Sequence, residues 1–149
     1  MIDEFLLRPN CQGCSGIEAI LKKHSLPGAG KKVLLHGQCV QKVQPPADDG
    51  LPTGARATIE LLKGFGYEVE MVESGCCGMA GSFGYEAEHY EVSQKLGEMS
   101  LFPAVRNAPD NVLLAASGTS CRSQIKSGTG KVALHPAVIL WQAMQKTED

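Results

Sequence analysis

Two adjacent cysteines in a glycine-rich stretch are the residues of this chain best suited to bind a metal or to carry out redox chemistry. Cys76 and Cys77 lie in SGCCGMAGSFGY, where four of the twelve residues are glycine. Core packing does not require that pattern, whereas a backbone that turns sharply or closely approaches a ligand does. Because neighbouring side chains of an extended strand point to opposite faces, both thiols can meet one ligand only where the chain turns. The stretch therefore predicts a binding loop.

Alternating strands and helices would position this loop. Apolar runs and helical periodicities predict, in order, strand 31–37, helix 53–66, strand 67–74, helix 85–105, strand 111–117, helix 120–128, strand 131–135 and helix 136–146. Strands that alternate with helices imply a parallel sheet that is covered on both faces. We therefore predict an α/β fold: a single Rossmann-like domain with a four-stranded parallel sheet and helices on both faces.

The second of these helices carries a regular set of apolar residues. Its candidate inward positions are Ala87, Tyr90, Val92, Leu96, Met99 and Leu101. Pro103 predicts a break near the end of the helix, because proline lacks the N–H that a helix interior uses.

Four cysteines follow predicted strands. Cys39 comes just after the first strand, Cys76 and Cys77 after the second and Cys121 after the third, while His135 ends the fourth. The carboxyl ends of parallel strands share one edge, where ligands bind and where helix N-termini offer unpaired N–H donors. Each cysteine alone could be a small buried residue in a turn, but four placed independently would not all choose one edge. We predict that they converge on one crevice.

Thiolates gathered in such a crevice favour an iron–sulfur centre. Glycine lets backbone N–H groups reach sulfur without an intervening side chain, which predicts that Gly37, Gly75, Gly78 and Gly118 contact the bound group. His135 is a candidate hydrogen-bond donor to a sulfur or to a substrate. Zinc remains an alternative, although its four tetrahedral ligands usually come from CxxC or CxxxxC spacings.

Two further side chains near this edge have open roles. His36 precedes the first cysteine, and strand alternation directs it either at the site or into the core. Arg122 follows Cys121 and either balances negative charge at the site or is an ordinary surface arginine.

The composition limits the partners of the chain. With 149 residues, 43% hydrophobic content and a net charge of −2, it lacks the basic excess that binds nucleic acids or anionic membranes. It has no run of about 18 apolar residues, and its acidic start has too short an apolar stretch for a signal peptide. We expect a cytoplasmic protein, in which the six cysteines are better suited to metal or redox roles than to disulfides.

The chain divides near residue 30. We predict an N-terminal extension with a helix over 1–30 and a cysteine-rich domain over 31–149. Cys11 and Cys14 form a CxxC in the extension, but a thioredoxin-like pair requires a preceding strand that is not evident here. We interpret this pair as half of a metal site or as exposed thiols at a domain boundary.

Five stretches resemble the cysteine-rich CCG domain: LLHGQC, ESGCCGMAGSFGYEAEHY, GEMSLFPAVR, SGTSCRSQI and HPAVIL. That family occurs in heterodisulfide reductase and in iron–sulfur subunits of glycolate, glycerol-3-phosphate and lactate oxidation systems. It also forms the C-terminal module of FAD-linked oxidases, which this chain resembles most. Family members hold a [4Fe–4S] centre, cubane or non-cubane, with a cysteine, a CCG motif and a CxxC motif. The resemblance implies that Cys39, Cys76, Cys77 and Cys121 are the metal ligands.

Two departures from the family pattern reduce the number of potential ligands at this site. Gly118 stands at the first position of the final CxxC, so that one thiolate is absent. Gln38 and Val40 stand where close relatives have histidines beside the first cysteine. Four thiols still suffice in number for one [4Fe–4S] cluster.

The resemblance implies an electron-transfer module that is not catalytic alone. It would relay electrons from FAD on a partner domain or subunit that oxidises a 2-hydroxy acid of the lactate or glycolate type, or act in a heterodisulfide reductase-like system. A flavoprotein and a further iron–sulfur subunit or domain are the implied partners. The alternative is a structural domain that binds zinc, or no metal, and docks a partner through the same edge.

Overall fold

A parallel sheet forms the centre of the fold. The computed structural model describes residues 26–145. Within them the strands are β1 (Lys32–His36), β2 (Glu68–Met71) and β3 (Leu113–Ala116), arranged in the order β2-β1-β3. Both neighbours pair with β1 in parallel. All three strands therefore end at the same edge of the sheet.

Helices connect the strands. They are α1 (Cys39–Lys42), α2 (Gly54–Gly64), α3 (Tyr90–Glu98), α4 (Leu101–Asn107), α5 (Thr119–Thr129) and α6 (Pro136–Gln145), with two 3₁₀ turns at Phe83–Tyr85 and Ala87–His89. In the described part of the chain, no helix has the length and apolar character needed to cross a bilayer.

Buried side chains form a core on each face of the sheet. On one face, Val33 and Leu35 of β1 pack with Leu61 of α2 and Ile139 of α6. On the other face, Leu114 of β3 belongs to a cluster with residues of α4 and α5, namely Leu101, Phe102, Val105, Cys121 and Ile125. Alternate residues of a strand point to opposite faces, which explains this division. The prediction of an α/β fold with helices on both faces is confirmed.

The predicted fourth strand is not confirmed. Of residues 131–135, Leu134 alone pairs with β3: its N–H donates to the carbonyl of Leu114 at 2.8 Å, and its carbonyl accepts from Ala116 N–H at 2.9 Å. The segment is short because α5 ends just before it, at Gly130 with its positive φ of 74°, and α6 begins just after it, at Pro136. The described sheet therefore has three strands and one single-residue bridge.

The single helix predicted over 85–105 is wrong. Two 3₁₀ turns precede α3, and the chain breaks at Ser100, where φ is −157°, rather than near Pro103. Pro103 lies in the first turn of α4, where its missing N–H would have no helical partner. The break therefore falls earlier than the proline suggested.

The buried face of α3 also differs from the prediction. Of the expected inward positions, Leu101 is buried, whereas the others are exposed, namely Ala87, Tyr90, Val92, Leu96 and Met99. The helix buries its small residues Ser93 and Gly97 instead. A Cβ on Gly97 would lie 2.3 Å from the ring of Phe102, so that α3 approaches this ring more closely than a larger residue would allow.

Gly128→Ala is expected to lower the free energy of unfolding by about 1–3 kcal/mol, because inserting a methyl group into a packed core displaces its neighbours. The added Cβ would lie 2.2 Å from Cζ of Phe102, a side chain with no exposed surface. Urea unfolding followed by circular dichroism measures the change. Ser127→Ala, at an exposed position of the same helix, is the control and should change stability by less than about 0.5 kcal/mol. Equal stability of the two variants would contradict the packing of Phe102.

Most of the predicted N-terminal extension, residues 1–25, lies outside the part of the chain that the structure describes. The helix predicted there, together with Cys11 and Cys14, falls outside the described residues. The division of the chain into 1–30 and 31–149 stays a prediction.

Candidate metal centre

The strand ends bring four cysteines to the carboxyl edge of the sheet. Cys39 begins α1, directly after β1, and Cys121 lies in α5, directly after β3. Cys76 and Cys77 lie in the loop that follows β2. Since the three strands are parallel and adjacent, these connections leave the sheet side by side.

Three side chains form an inner group at this edge: His36, Cys77 and Cys121. Their potential ligand atoms all lie within 4.8 Å of one another. All three residues are buried, with exposed fractions of 1%, 2% and 3% respectively. His36, the last residue of β1, therefore faces the cysteines. The sequence alone had left the orientation of this side chain open.

Cys39 and Cys76 form an outer pair beside the inner group. Cys39 is exposed and Cys76 is half-buried. Burial, and then a hydrogen bond with Cys76, raise the pKa of the Cys39 thiol. The charges of Cys77, Cys39 and Cys76 all act on Cys121 and raise its pKa. The four thiols therefore lie close to one another at this edge.

The inner thiols differ sharply in acidity. The pKa of Cys77 is lowered from 9.0 to about 4, chiefly by the hydrogen bond from Cys121, with smaller contributions from His36 and the backbone N–H of Met79. The same hydrogen bond, followed by burial, raises the pKa of Cys121. The pair therefore shares one proton near neutral pH.

The stability of the reduced, metal-free protein is expected to rise with pH from about 5 to about 8. In this range the unfolded chain binds two protons on Cys77 and Cys121, because ordinary thiols titrate near 9.0, whereas the folded pair binds one. Above about pH 9 the unfolded chain loses both protons while the folded pair keeps its own, so stability should fall again. Urea unfolding in chelator and reductant at several pH values measures this curve. A Cys77→Ser variant should lack the rise; an identical curve would contradict the shared proton.

Ser74 and Lys42 support the inner group, although no sequence motif singles them out. Nδ1 of His36 and the hydroxyl of Ser74 are hydrogen-bonded at 3.0 Å. The ammonium of Lys42 donates to the carbonyl of Ser74 and, at 3.3 Å, to that of Gly75. Lys42 thus ties α1 to the loop that carries the adjacent cysteines. The sequence feature that could have indicated Lys42 is its position about one helical turn after Cys39.

The predicted glycines have different surroundings. Gly78 has a φ of 98°, and its N–H donates to the sulfur of Cys76 at 3.3 Å, which is the kind of contact expected for it. A Cβ on Gly118 would lie 3.0 Å from the sulfur of Cys121, so this residue borders the site. A Cβ on Gly37 would instead contact Lys42, and one on Gly75 would meet no atom of the described residues within 4 Å.

His135 and Arg122 make contacts with the backbone. Nδ1 of His135 accepts a hydrogen bond from Ala137 N–H at 3.1 Å, across the start of α6. Within the described residues, the group of close ligand atoms does not include this histidine. Arg122 donates to the carbonyls of Ala116 and Ser117 at 2.9 and 2.8 Å, where β3 turns into α5. Its guanidinium therefore holds the turn that precedes Cys121.

The donor set fits a soft metal or an iron–sulfur group. Thiolate and imidazole are the ligands that zinc and iron–sulfur centres take in proteins. In a tetrahedral zinc site with Zn–S bonds of about 2.3 Å, the sulfurs stand about 3.8 Å apart. The inner group, with ligand atoms within 4.8 Å, approaches that spacing. The outer pair brings the number of thiols to four.

Comparisons with known proteins associate the chain with dehydrogenases. It is 35% identical over 117 residues to D-2-hydroxyglutarate dehydrogenase of Escherichia coli K12, covering 78% of this chain and 11% of that protein. Its identity to the enzyme of the same name from Pseudomonas putida KT2440 is 32% over 120 residues, covering 80% and 11%. It is also 34% identical over 88 residues to a subunit of the anaerobic glycerol-3-phosphate dehydrogenase of E. coli K12, covering 58% and 22%.

The chain spans only about a tenth to a fifth of the length of these relatives. No family model matches it, and no solved structure does. Its similarity is therefore to one part of larger oxidoreductases.

Proposed function

We propose that this chain is an iron–sulfur-binding electron-transfer module of a larger oxidoreductase. The observation that carries the proposal is the gathering of four thiols at the carboxyl edge of a parallel sheet. Thiolates hold iron–sulfur clusters, and four of them suffice in number for one [4Fe–4S] cluster. Cys39, Cys76, Cys77 and Cys121 are the proposed ligands.

The relatives support the choice of an oxidoreductase. Two of them are named for D-2-hydroxyglutarate, which is a 2-hydroxy acid, and the third belongs to a glycerol-3-phosphate dehydrogenase. We propose that the module accepts electrons from FAD on a partner domain or subunit that oxidises a 2-hydroxy acid. A further iron–sulfur subunit or domain would complete the path of the electrons. The sequence carries neither a GxGxxG after a strand nor a P-loop, which agrees with a flavin held elsewhere.

A structural zinc site is the second candidate. The observation that favours it is the close spacing of the inner group, because one metal ion would bring its ligands together in this way. In a [4Fe–4S] cluster each thiolate binds a different iron, so the sulfurs are spread around a larger core.

Anaerobic purification of the full chain, with metal and sulfide analysis and a visible spectrum, tests the two candidates. We expect iron, acid-labile sulfide and a broad visible absorption band, all of which should be lost in the Cys77→Ser/Cys121→Ser double variant. Ser127→Ala, at an exposed position near the end of α5, is the control and should keep them. A colourless protein with one zinc per chain would support the structural site, and a chain that binds neither metal would contradict both candidates.

A further inference from the structure

We propose that His36 is itself a ligand of the metal centre and binds through Nε2, together with the thiolates of Cys77 and Cys121. The proposal deepens the proposed function, since it rests on a metal or iron–sulfur group occupying this edge. It adds a nitrogen donor to the thiolates already proposed for this site. The sequence left the side chain of His36 either at the site or in the core and did not assign it the role of a ligand.

The position of the ring is the first support. His36 has 1% of its surface exposed, and its nearest ligand atom lies within 4.8 Å of both inner sulfurs. It is the last residue of β1, the central strand of the sheet. Sites built on strands or helices hold their ligands more accurately than sites built on loops.

The second support is an unsatisfied nitrogen. Nδ1 is hydrogen-bonded to Ser74, whereas Nε2 is buried and makes no hydrogen bond of ordinary geometry to any described residue. The interaction of the ring with Cys77 that lowers the pKa of that thiol does not meet this geometry. Leaving a buried polar atom without a partner is destabilising. A histidine with a purely structural role would be expected to use both nitrogens. A ligand bound between the ring and the two sulfurs would satisfy Nε2.

The third support is the partner of the other nitrogen. Metal-binding histidines usually donate their second N–H to a fixed acceptor, which sets the tautomer and the orientation of the ring. Ser74 Oγ stands 3.0 Å from Nδ1 and can accept that proton, leaving a lone pair on Nε2. Lys42 fixes Ser74 in turn, through the Ser74 carbonyl and, at 3.4 Å, the hydroxyl. Ring, serine and lysine therefore form a connected support for one ligand atom.

A neutral imidazole also suits the charge of the site. The four thiols would carry four negative charges as thiolates, and like charges close together repel one another. A ligand that adds no charge binds the metal without adding to this repulsion. In iron–sulfur centres, replacing thiolate by imidazole raises the reduction potential.

The test uses the full chain labelled with ¹⁵N-histidine in two reduced samples, one reconstituted with iron and sulfide and one loaded with Co²⁺. Pulsed electron paramagnetic resonance should detect a ¹⁵N hyperfine coupling to the bound metal in at least one sample. The coupling should vanish in His36→Ala and persist in His89→Ala, whose ring stacks on Phe83 instead. Ser74→Ala should weaken Co²⁺ binding about 10- to 100-fold.

The outcomes separate this proposal from the proposed function. Metal bound by Cys77 and Cys121, with no nitrogen coupling in either sample, would overturn the role of His36 and leave the metal site intact. Failure of the wild-type chain to hold metal in either sample would overturn both. Because the absence of nitrogen coupling would be read on the wild-type chain, misfolding of the His36 variant would not obscure the result that overturns the proposal.

Discussion

Gly78→Ala is expected to lower the free energy of unfolding by about 3–5 kcal/mol, since it combines backbone strain with a steric clash. Gly78 has a φ of 98°, a conformation that residues with a side chain rarely adopt. The added Cβ would lie 2.2 Å from the backbone carbonyl oxygen of Ser93 and 2.9 Å from Nε2 of Gln124. Gln124 donates to that same carbonyl at 3.0 Å, so the contact between α3 and α5 would be forced apart. A loss of this size is a large fraction of the stability of an ordinary domain.

Gly81→Ala is the control that separates the cost of backbone strain from the cost of the steric clash. Gly81 also has a positive φ, 73°, but a Cβ there would meet no described atom within 4 Å. This control should therefore lose only the cost of the left-handed conformation, about 1–2 kcal/mol. Urea unfolding of both variants, with metal removed, measures the difference. Equal losses would show that the glycine after the cysteine pair serves backbone conformation alone and not the close approach of α3.

The order of the elements was enough to predict where the site lies. Strands that alternate with helices can form a parallel sheet, and the residues after such strands then share an edge. That argument needs only the positions of Cys39, Cys76, Cys77 and Cys121 relative to the strands, and small errors in the strand limits do not affect it. The structure places all four at that edge.

The predictions failed where a single tertiary contact outweighs a local pattern. The apolar residues of 85–105 indicated which face of one long helix would be buried, but the ring of Phe102 requires small residues opposite it, and Gly97 is one of them. Similarly, residues 131–135 (KVALH) have the composition of a strand, yet they lie between α5 and α6 and only Leu134 pairs with β3. Such constraints depend on which elements become neighbours, and the local sequence does not record that.

The role of His36 could not be read from the sequence for a related reason. Strand alternation gives the face to which a side chain points, but the last residue of a strand can face either the core or the edge. The hydrogen bond to Ser74 decides between these positions, and it joins residues 38 apart in the chain. Lys42, which orders Ser74, depends on α1, a helix too short to give a periodic signal.

Single cysteine substitutions are expected to show whether the inner group and the outer pair serve one centre. Cys77→Ser or Cys121→Ser should lower metal affinity by at least about 100-fold, because each removes a buried thiol beside His36 that we propose as a ligand. If the centre is a [4Fe–4S] cluster, Cys39→Ser and Cys76→Ser should also abolish the visible band after reconstitution with iron and sulfide, even though Cys39 is exposed. A mononuclear metal held by the inner group needs at most one further thiolate, so at least one of these two variants would then bind zinc as well as the wild-type chain. Retention of the iron–sulfur spectrum by both outer variants would contradict the four-thiolate assignment.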